Sequence, residues 1–157
     1  MSYSVILPTL NEKNHIIDLV KKISKIFIKH KKKYEIIIVD DNSTDGTIQT
    51  VKNFRKKKDY LKLLVRRTKK KNLAESLNDG IKKSKYNYVI WLDADFQHPP
   101  IYIKNFIKES FSSDVIVCSR FLQKSKRYFD IDKKFKEKNE NQSILFNYIC
   151  NKFIFSD

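Results

Sequence analysis

Two aspartates separated by one residue, Asp93 and Asp95, follow an apolar run in the stretch VIWLDADFQHPP. In an extended chain, residues two apart point to the same side of the backbone. Two carboxylates held so close repel each other unless a cation lies between them. Because oxygen donors suit hard divalent ions, we expect Mg²⁺ or Mn²⁺ here. Gln97 is a neutral oxygen donor for the same ion.

A polar turn is the alternative interpretation of this DxD pattern, because aspartate is common in loops and Asp93 can cap the following segment. His98 adds an imidazole, but no second His or Cys stands at ligand spacing, which disfavours a zinc site. The metal interpretation depends on further acidic residues from other strand ends. The candidates are Glu12, Asp40 and Asp41, although the two adjacent aspartates suit a plain turn equally well.

Segments typical of buried strands alternate with segments of helical periodicity over the first 120 residues. Strands are predicted at residues 3–8, 34–41, 60–65, 86–93 and 113–120. Helices are predicted at residues 12–30, 46–56 and 72–83, and in a segment that opens at Pro99 and Pro100. Good N-cap residues are Asn72 and either Thr44 or Asp45. Residues 121–142 predict a charged loop, and residues 143–155 predict a final helix.

This alternation predicts an α/β fold with a mostly parallel central sheet and helices on both faces. In such sheets, ligands bind beyond the carboxyl ends of the strands. Acidic residues follow three of the five predicted strands. We therefore expect Glu12, Asp41 and Asp93 to share one edge of the sheet. A carboxylate there can accept hydrogen bonds from the base or ribose of a nucleotide.

The chain is strongly basic: its 157 residues include 33 Lys and Arg against 18 Asp and Glu, a formal net charge of +15. Such a length suits one domain with a hydrophobic core. A basic surface attracts nucleic acid, an anionic membrane face or a phosphorylated substrate, although a lysine-rich coding bias explains the charge equally well. Gly46 and Gly80 are the only glycines, which excludes glycine-rich phosphate loops such as GxGxxG.

The sequence has no apolar run long enough to span a bilayer, and its N-terminus lacks the features of a signal peptide. Cys118 and Cys150 are too few and too scattered for a disulfide framework. We therefore expect a cytoplasmic protein. A peripheral position on a membrane stays open.

Four stretches resemble, in order and spacing, the family 2 glycosyltransferases, and especially the dolichyl- and polyprenyl-phosphate mannosyltransferase branch. They are VILPTLNE, YEIIIVDDNSTDGT, YVIWLDADFQHPP and DVIVCSR. The resemblance implies a single domain over residues 1–157 with the Rossmann-like GT-A fold, whose nucleotide-sugar-binding part covers residues 3–120. Catalytic domains of this family continue beyond the position of Asp157, so residues 121–157 are expected to form an incomplete acceptor part.

The resemblance also implies roles for individual residues toward a nucleotide-diphosphate sugar. Positions that line the nucleotide pocket or contact the nucleoside match Pro8, Leu10, Glu12, Val39 and Asp41. Asp93, Ala94 and Asp95 match the DxD segment, in which the carboxylates and Mg²⁺ or Mn²⁺ bridge the diphosphate. Gln97 matches a position that joins the metal shell.

The reaction implied by the resemblance is sugar transfer with inversion at the anomeric carbon. Arg120 matches a basic residue near the phosphates or sugar, and with the ion it would stabilise the leaving nucleoside diphosphate. Asp157 matches the Ser-Asp found beyond the last helix of the family, and it is the candidate general base for a hydroxyl acceptor. A lipid-phosphate acceptor at a membrane face is already anionic and needs no base.

The chain departs from the family in the stretch KKNLAESLNDG. Asn72 and Ala74 stand where the family usually has glycines, and Glu75 replaces a small residue. Their larger side chains are expected to crowd the nucleotide pocket.

Three other functions compete with this interpretation of the sequence. A donor-binding module with little transferase activity shares every motif. A sugar-nucleotide nucleotidyltransferase needs a glycine-rich basic loop after the first strand, which PTLNEKN lacks. A nucleic-acid binder needs aromatics interleaved with Lys and Arg on an exposed face. Most aromatics here have strand or core spacing, so we expect no nucleic-acid partner; the oligomeric state stays open.

Overall fold

The computed structural model describes residues 1–68, 70–112 and 115–118. Met1–Ile116 form one unit and Val117–Asp157 a second. Strands and helices alternate along the first unit as β1 (Ser2–Thr9), α1 (Ile16–Lys29), β2 (Lys33–Asp40), α2 (Thr47–Arg55), β3 (Leu61–Val65), α3 (Leu73–Lys83), β4 (Tyr88–Trp91), a 3₁₀ turn (Pro100–Tyr102) and α4 (Ile103–Glu109). None of the helices in these ranges is both long enough and apolar enough to cross a membrane.

The four strands form one parallel sheet in the order β3-β2-β1-β4. Val5 of β1 is in register with Ile36 of β2 on one side and with Ile90 of β4 on the other. The strand order reverses at β1, because β2 and β3 are added on one side and β4 on the other. In open α/β sheets, ligands bind at such a switch point, outside the carboxyl ends of the strands.

Strand side chains enter two apolar layers in alternation, because successive residues of a strand point to opposite faces. Val5 and Leu7 of β1 pack in the layer of α1, whereas Ile6 packs with Leu77 of α3. Helix α1 contributes its apolar stripe at helical spacing through Ile16, Leu19, Val20, Ile23 and Phe27. The predicted α/β fold, with a parallel sheet covered on both faces, is therefore confirmed.

Helix α3 lies against the sheet at Gly80. A Cβ atom at this position would lie 2.5 Å from Cγ2 of Ile6 and 3.1 Å from Cγ2 of Val39. Real Cβ atoms essentially never lie as close as 2.5 Å to another side chain, so a larger residue would push the helix off the sheet. One of the two glycines thus sets the distance between α3 and the strands.

The fifth predicted strand, residues 113–120, is wrong for the part of it that the structure describes. Residues 115–118 are not in a strand, and Val115 and Val117 are 50% and 42% exposed. A buried parallel strand needs a partner and cover on both faces, and this apolar run has neither there. The rest of that prediction, the predicted loop at 121–142 and the predicted helix at 143–155 lie outside the described residues.

Candidate active site

The segments that follow the four parallel strands all lie at one edge of the sheet, the carboxyl edge. Three of them turn through a residue with left-handed backbone: Asn11 (φ 58°), Asn42 (φ 61°) and Phe96 (φ 66°). Asparagine adopts this conformation readily, whereas a bulky aromatic residue does so only where other contacts hold it. Phe96 meets the ring of His15 edge-on, and Nζ of Lys22 lies 4.5 Å from its ring centre. The turn after β4 is therefore anchored on α1 and the segment before it.

Hydrogen bonds join the loop after β1 to the turn after β2. They run from the backbone N–H groups of Asn11, Glu12 and Lys13 to Ser43 Oγ (2.8 Å), Thr47 Oγ1 (3.0 Å) and Asp45 Oδ2 (3.0 Å). Asp45 also accepts the N–H of Thr47 at 2.9 Å. The N-cap of α2 is Gly46, with left-handed backbone (φ 94°) and no side-chain cap hydrogen bond, so the predicted capping by Thr44 or Asp45 is wrong: both residues precede the cap position. The stretch DDNSTDGT is thus more than a turn, because its side chains hold the loop that carries Glu12.

Glu12 interacts electrostatically with the two aspartates of the DxD segment. Partial burial is the largest cause that raises the pKa of Glu12 above its usual value, and the carboxylate of Asp95 is the next. Asp45 and Asp93 add smaller contributions in the same direction, while His15 opposes them. Since β1 and β4 are neighbours, these carboxylates follow adjacent strand ends at the switch point of the sheet. A bound cation would relieve their repulsion.

The DxD segment is held by short-range contacts. Oδ1 of Asp95 accepts the backbone N–H of Gln97 at 2.9 Å. Nδ1 of His98 lies 3.2 Å from the backbone nitrogen of Asp93 and 3.4 Å from its Oδ2. The imidazole thus packs beside the Asp93 backbone, which agrees with a structural role for His98. Asp93 and Asp95 themselves are partly exposed at the carboxyl edge.

Whether these residues suit a metal ion depends on the kind of ion. In the part of the chain that the structure describes, no three His, Cys, Asp or Glu side chains come close enough to enclose a metal ion. A closed structural zinc site is therefore a poor fit there. Magnesium is commonly bound by one or two carboxylates together with substrate phosphates and water. The partly exposed, oxygen-only pair of Asp93 and Asp95 fits an ion of that kind.

Asp41, after β2, is held by a buried arginine that sequence reasoning missed. Arg66 follows β3 directly and is 6% exposed. Its Nη1 donates to Oδ1 of Asp41 at 2.9 Å, and the backbone N–H of Asn72 donates to Oδ2 at 2.7 Å. The position of Arg66 directly after a predicted strand could have identified it, because residues that follow the strands of a parallel sheet fall at the ligand-binding edge.

The larger side chains at the start of α3 make defined contacts. Oδ1 of Asn72 accepts the N–H groups of Ala74 (3.0 Å) and Glu75 (3.2 Å), so the predicted N-cap is confirmed. The carboxylate of Glu75 accepts a hydrogen bond from Nη2 of Arg66. These residues serve helix capping and an ion pair, while the expected crowding of a nucleotide stays a prediction.

The other residues matched to the family differ in accessibility. Pro8 and Val39 are register partners on β1 and β2, and both are buried. Because the Val39 side chain is packed beneath α3, a ligand contact there would use the backbone. Leu10 is 39% exposed at the carboxyl edge, whereas Ala94 is buried between the two aspartates. Two further matched residues lie outside the described ranges: Arg120 and Asp157.

Comparison with known sequences identifies related proteins. The family model for glycosyl transferase family 2 matches residues 4–156. A dolichol-phosphate mannosyltransferase from Pyrococcus furiosus is 34% identical over 127 residues, which cover 80% of this chain and 35% of that protein. A dolichol-phosphate mannosyltransferase from Mycosarcoma maydis is 35% identical over 103 residues, covering 63% and 35%. The chain thus spans about a third of the length of these two relatives.

Comparison with solved structures identifies proteins of similar fold. TarS from S. aureus superposes with a TM-score of 0.58 at 27% identity, over 80% of this chain and 24% of that one. The mannosyltransferase PcManGT from Pyrobaculum calidifontis, solved with GDP-Man and Mn²⁺, has a TM-score of 0.50 at 29% identity, over 59% and 27%. With its parallel switch-point sheet and the family match over residues 4–156, the chain belongs to glycosyl transferase family 2 and has the GT-A fold.

Proposed function

We propose that the chain is the donor-binding part of a metal-dependent, inverting glycosyltransferase. It would take a sugar from a nucleotide-diphosphate sugar, GDP-mannose or a UDP-sugar, and transfer it to a polyprenyl phosphate. The observation that carries this proposal is that Glu12, Asp93 and Asp95 follow the adjacent strands β1 and β4 at the switch point of the sheet. Acidic residues at that place on a basic protein suit a cation together with a diphosphate.

The choice of donor and acceptor rests on the relatives. Two of them are dolichol-phosphate mannosyltransferases, and a structural neighbour was solved with GDP-Man and Mn²⁺. A lipid phosphate lies at a membrane surface, and the net charge of +15 suits an anionic membrane face. We therefore favour a protein that acts at the cytoplasmic face of a membrane.

Different residues of the carboxyl edge would bind the diphosphate and the nucleoside of the donor. Asp93 and Asp95, with Gln97 beside them, would hold Mg²⁺ or Mn²⁺ next to the diphosphate. When bound, the ion would neutralise charge that develops on the leaving nucleoside diphosphate. Glu12 and Asp41 would accept hydrogen bonds from the nucleoside. Hydrogen bonds to an ionised carboxylate are stronger than those between neutral groups. Asp41 is already held in one orientation before a ligand arrives.

Transfer would proceed by attack of the acceptor on the anomeric carbon from the face opposite the leaving group. The family resemblance gives Arg120 the role of adding positive charge beside the phosphates. A phosphate acceptor is already a nucleophilic anion, so it requires no proton removal. A hydroxyl acceptor would require a general base, and Asp157 is the residue that the resemblance offers.

The test of donor binding is titration calorimetry with GDP-mannose and a panel of UDP-sugars, with and without Mn²⁺. We expect one nucleotide class to bind, and to bind more tightly when Mn²⁺ is present. Failure of every nucleotide sugar to bind, or binding that is equally tight without any divalent ion, would contradict the proposal.

The test of transfer uses polyprenyl phosphate and simple hydroxyl acceptors, with the anomeric configuration of the product determined by NMR. Because residues 121–157 are expected to form an incomplete acceptor part, we expect only slow transfer, with inverted product on polyprenyl phosphate. Donor binding without turnover on either acceptor would favour the alternative, a nucleotide-sugar-binding module with little transferase activity. A product of retained configuration would rule out the inverting mechanism.

A further inference from the structure

Arg66 lies buried where the end of β3 meets the first turns of α3. Its Nη1 donates to Asp41 Oδ1 (2.9 Å), Ser76 Oγ (3.1 Å) and the Asn72 carbonyl (3.2 Å). Its Nε donates to Asp79 Oδ2 (2.9 Å), and its Nη2 donates to the Glu75 carboxylate. A guanidinium holds five N–H donors in a rigid plane, which a lysine ammonium does not reproduce. The arginine therefore joins three separate carboxylates at one point.

The three carboxylates around Arg66 differ in burial. The side chain of Asp41 is 7% exposed, whereas those of Asp79 and Glu75 are 40% and 57% exposed. Exposed ion pairs contribute little to stability, while a buried charge that loses its partner is costly. The contact between Arg66 and Asp41 is therefore the one on which the local structure depends.

Arg66, Asp41 and Asn72 form a closed cycle of hydrogen bonds. Arg66 donates to the carboxylate of Asp41 and to the carbonyl of Asn72, and the N–H of Asn72 donates to Oδ2 of Asp41 at 2.7 Å. The backbone N–H of Arg66 also donates to the carbonyl of Asp40 at 2.8 Å. The ends of β2 and β3 and the start of α3 are thus joined around one carboxylate.

The positive charge of Arg66 is stabilised by the carboxylates around it. Burial acts to lower the pKa of Arg66, but the carboxylates of Glu75, Asp41 and Asp79 outweigh it and raise that pKa. The guanidinium is therefore a permanent positive charge beside Asp41. Each carboxylate oxygen can accept two hydrogen bonds, and the cycle uses one on each oxygen of Asp41. Acceptor capacity remains for a hydroxyl group of a ligand.

We propose that Arg66 is a positioning residue for donor binding, which fixes the Asp41 carboxylate at the carboxyl edge through the cycle with Asn72. The link to the donor rests on the proposed function, whereas the orientation of Asp41 is testable without any ligand. Lys62 provides a matched control, because its Nζ pairs at 2.6 Å with Glu35, a fully buried carboxylate at the opposite, amino end of β2.

The first test is amide hydrogen exchange in the free protein. In Arg66→Met, protection of the Asn72 amide should fall about tenfold or more, because its acceptor Asp41 is no longer held. In Lys62→Met, the Asn72 amide should keep its protection. In Lys62→Met, the Lys85 amide should lose protection instead, because it donates to Glu35 Oε1 at 2.7 Å. Unchanged protection of Asn72 in Arg66→Met would overturn the proposal.

The second test is a double-mutant cycle on the binding of GDP and UDP in the presence of Mn²⁺. Arg66→Met should weaken binding about tenfold in the parent, but less than about twofold in the Asp41→Asn background. Arg66→Lys should lie between parent and Arg66→Met, because it keeps the charge without the planar fork. Lys62→Met should bind like the parent.

These outcomes separate a positioning role from a merely structural one. An Arg66→Met effect of the same size in the parent and Asp41→Asn backgrounds, or no effect on affinity at all, would overturn the proposal. If the parent binds neither GDP nor UDP, the proposed function fails, while the exchange experiment still decides whether Arg66 orients Asp41. Should Arg66→Met not fold, Arg66→Lys supplies both measurements, with an intermediate loss expected in each.

Discussion

The backbone N–H of Glu12 donates to Oγ1 of Thr47 at 3.0 Å, across the gap between the loop after β1 and the first residue of α2. Thr47 is fully buried, and its hydroxyl donates in turn to Oδ1 of Asp45 at 2.5 Å. The place of Glu12 at the carboxyl edge is therefore set by a helix that follows a different strand. One hydroxyl serves both loops as acceptor and donor.

Thr47→Val should destabilise the fold by about 1–3 kcal/mol, because a methyl group leaves the Glu12 N–H and an Asp45 oxygen without this partner. Urea denaturation measures the change. Thr47→Ser keeps the hydroxyl and should lose less stability. Equal stability of the two variants would show that the hydrogen bonds of Thr47 do not matter.

Asp95→Asn should weaken Mn²⁺-dependent binding of the nucleotide diphosphate by roughly 1.5–3 kcal/mol, since it removes an anionic ligand but keeps the shape of the side chain. Titration calorimetry with and without Mn²⁺ measures this loss. Asp18→Asn is the control, because Asp18 forms an exposed pair with Lys22 on α1. Equal affinity of Asp95→Asn and parent would count against a metal site at this position.

Glu35 should make stability depend on pH. Burial acts to raise the pKa of Glu35, but bonds from Lys62, the Lys85 backbone and Ser4 outweigh it, and the pKa lies below its ordinary value of 4.5. A carboxyl with a lowered pKa in the folded state adds stability above its unfolded pKa. That stability is lost as the pH falls through the folded pKa.

Glu35→Gln should therefore be less stable than the parent at about pH 7, by about 1.5–3 kcal/mol. The difference should shrink as the pH falls below the ordinary pKa of 4.5. Urea denaturation of both proteins at several pH values measures it. A difference that is the same at about pH 7 and about pH 3 would mean that the Glu35 carboxylate does not contribute as a charge.

Gly80→Ala should destabilise the protein by about 1–3 kcal/mol, because the new methyl group would overlap Ile6 and press on Val39. Alanine favours an isolated helix by roughly 1 kcal/mol over glycine, so the packing conflict must exceed that gain. Thermal unfolding measures the balance. Lys82→Ala, at an exposed position of α3, should leave the melting temperature nearly unchanged, and a more stable Gly80→Ala would contradict the close packing.

Local patterns in the sequence predicted the four strands of the sheet and the helices between them. The apolar run before Asp40 predicted β2 because both faces of a central parallel strand are buried. Asn72 predicted the start of α3 because its short side chain caps free N–H groups. Parallel strands then bring Glu12, Asp41 and Asp93 to one edge, so the location of the candidate site also followed from the sequence.

Contacts between distant residues were decided by the tertiary structure alone. Arg66 and Asp41 are 25 positions apart, and Glu12 and Thr47 are 35 apart; periodicity over a short window carries no information about such pairs. In the stretch after residue 112, an apolar run predicted a strand, but residues 115–118 do not form one. The spacing of apolar residues indicates which side chains favour burial. The residues that bury them, and the residues that pair with a buried charge such as Arg66, come close only once the chain has folded.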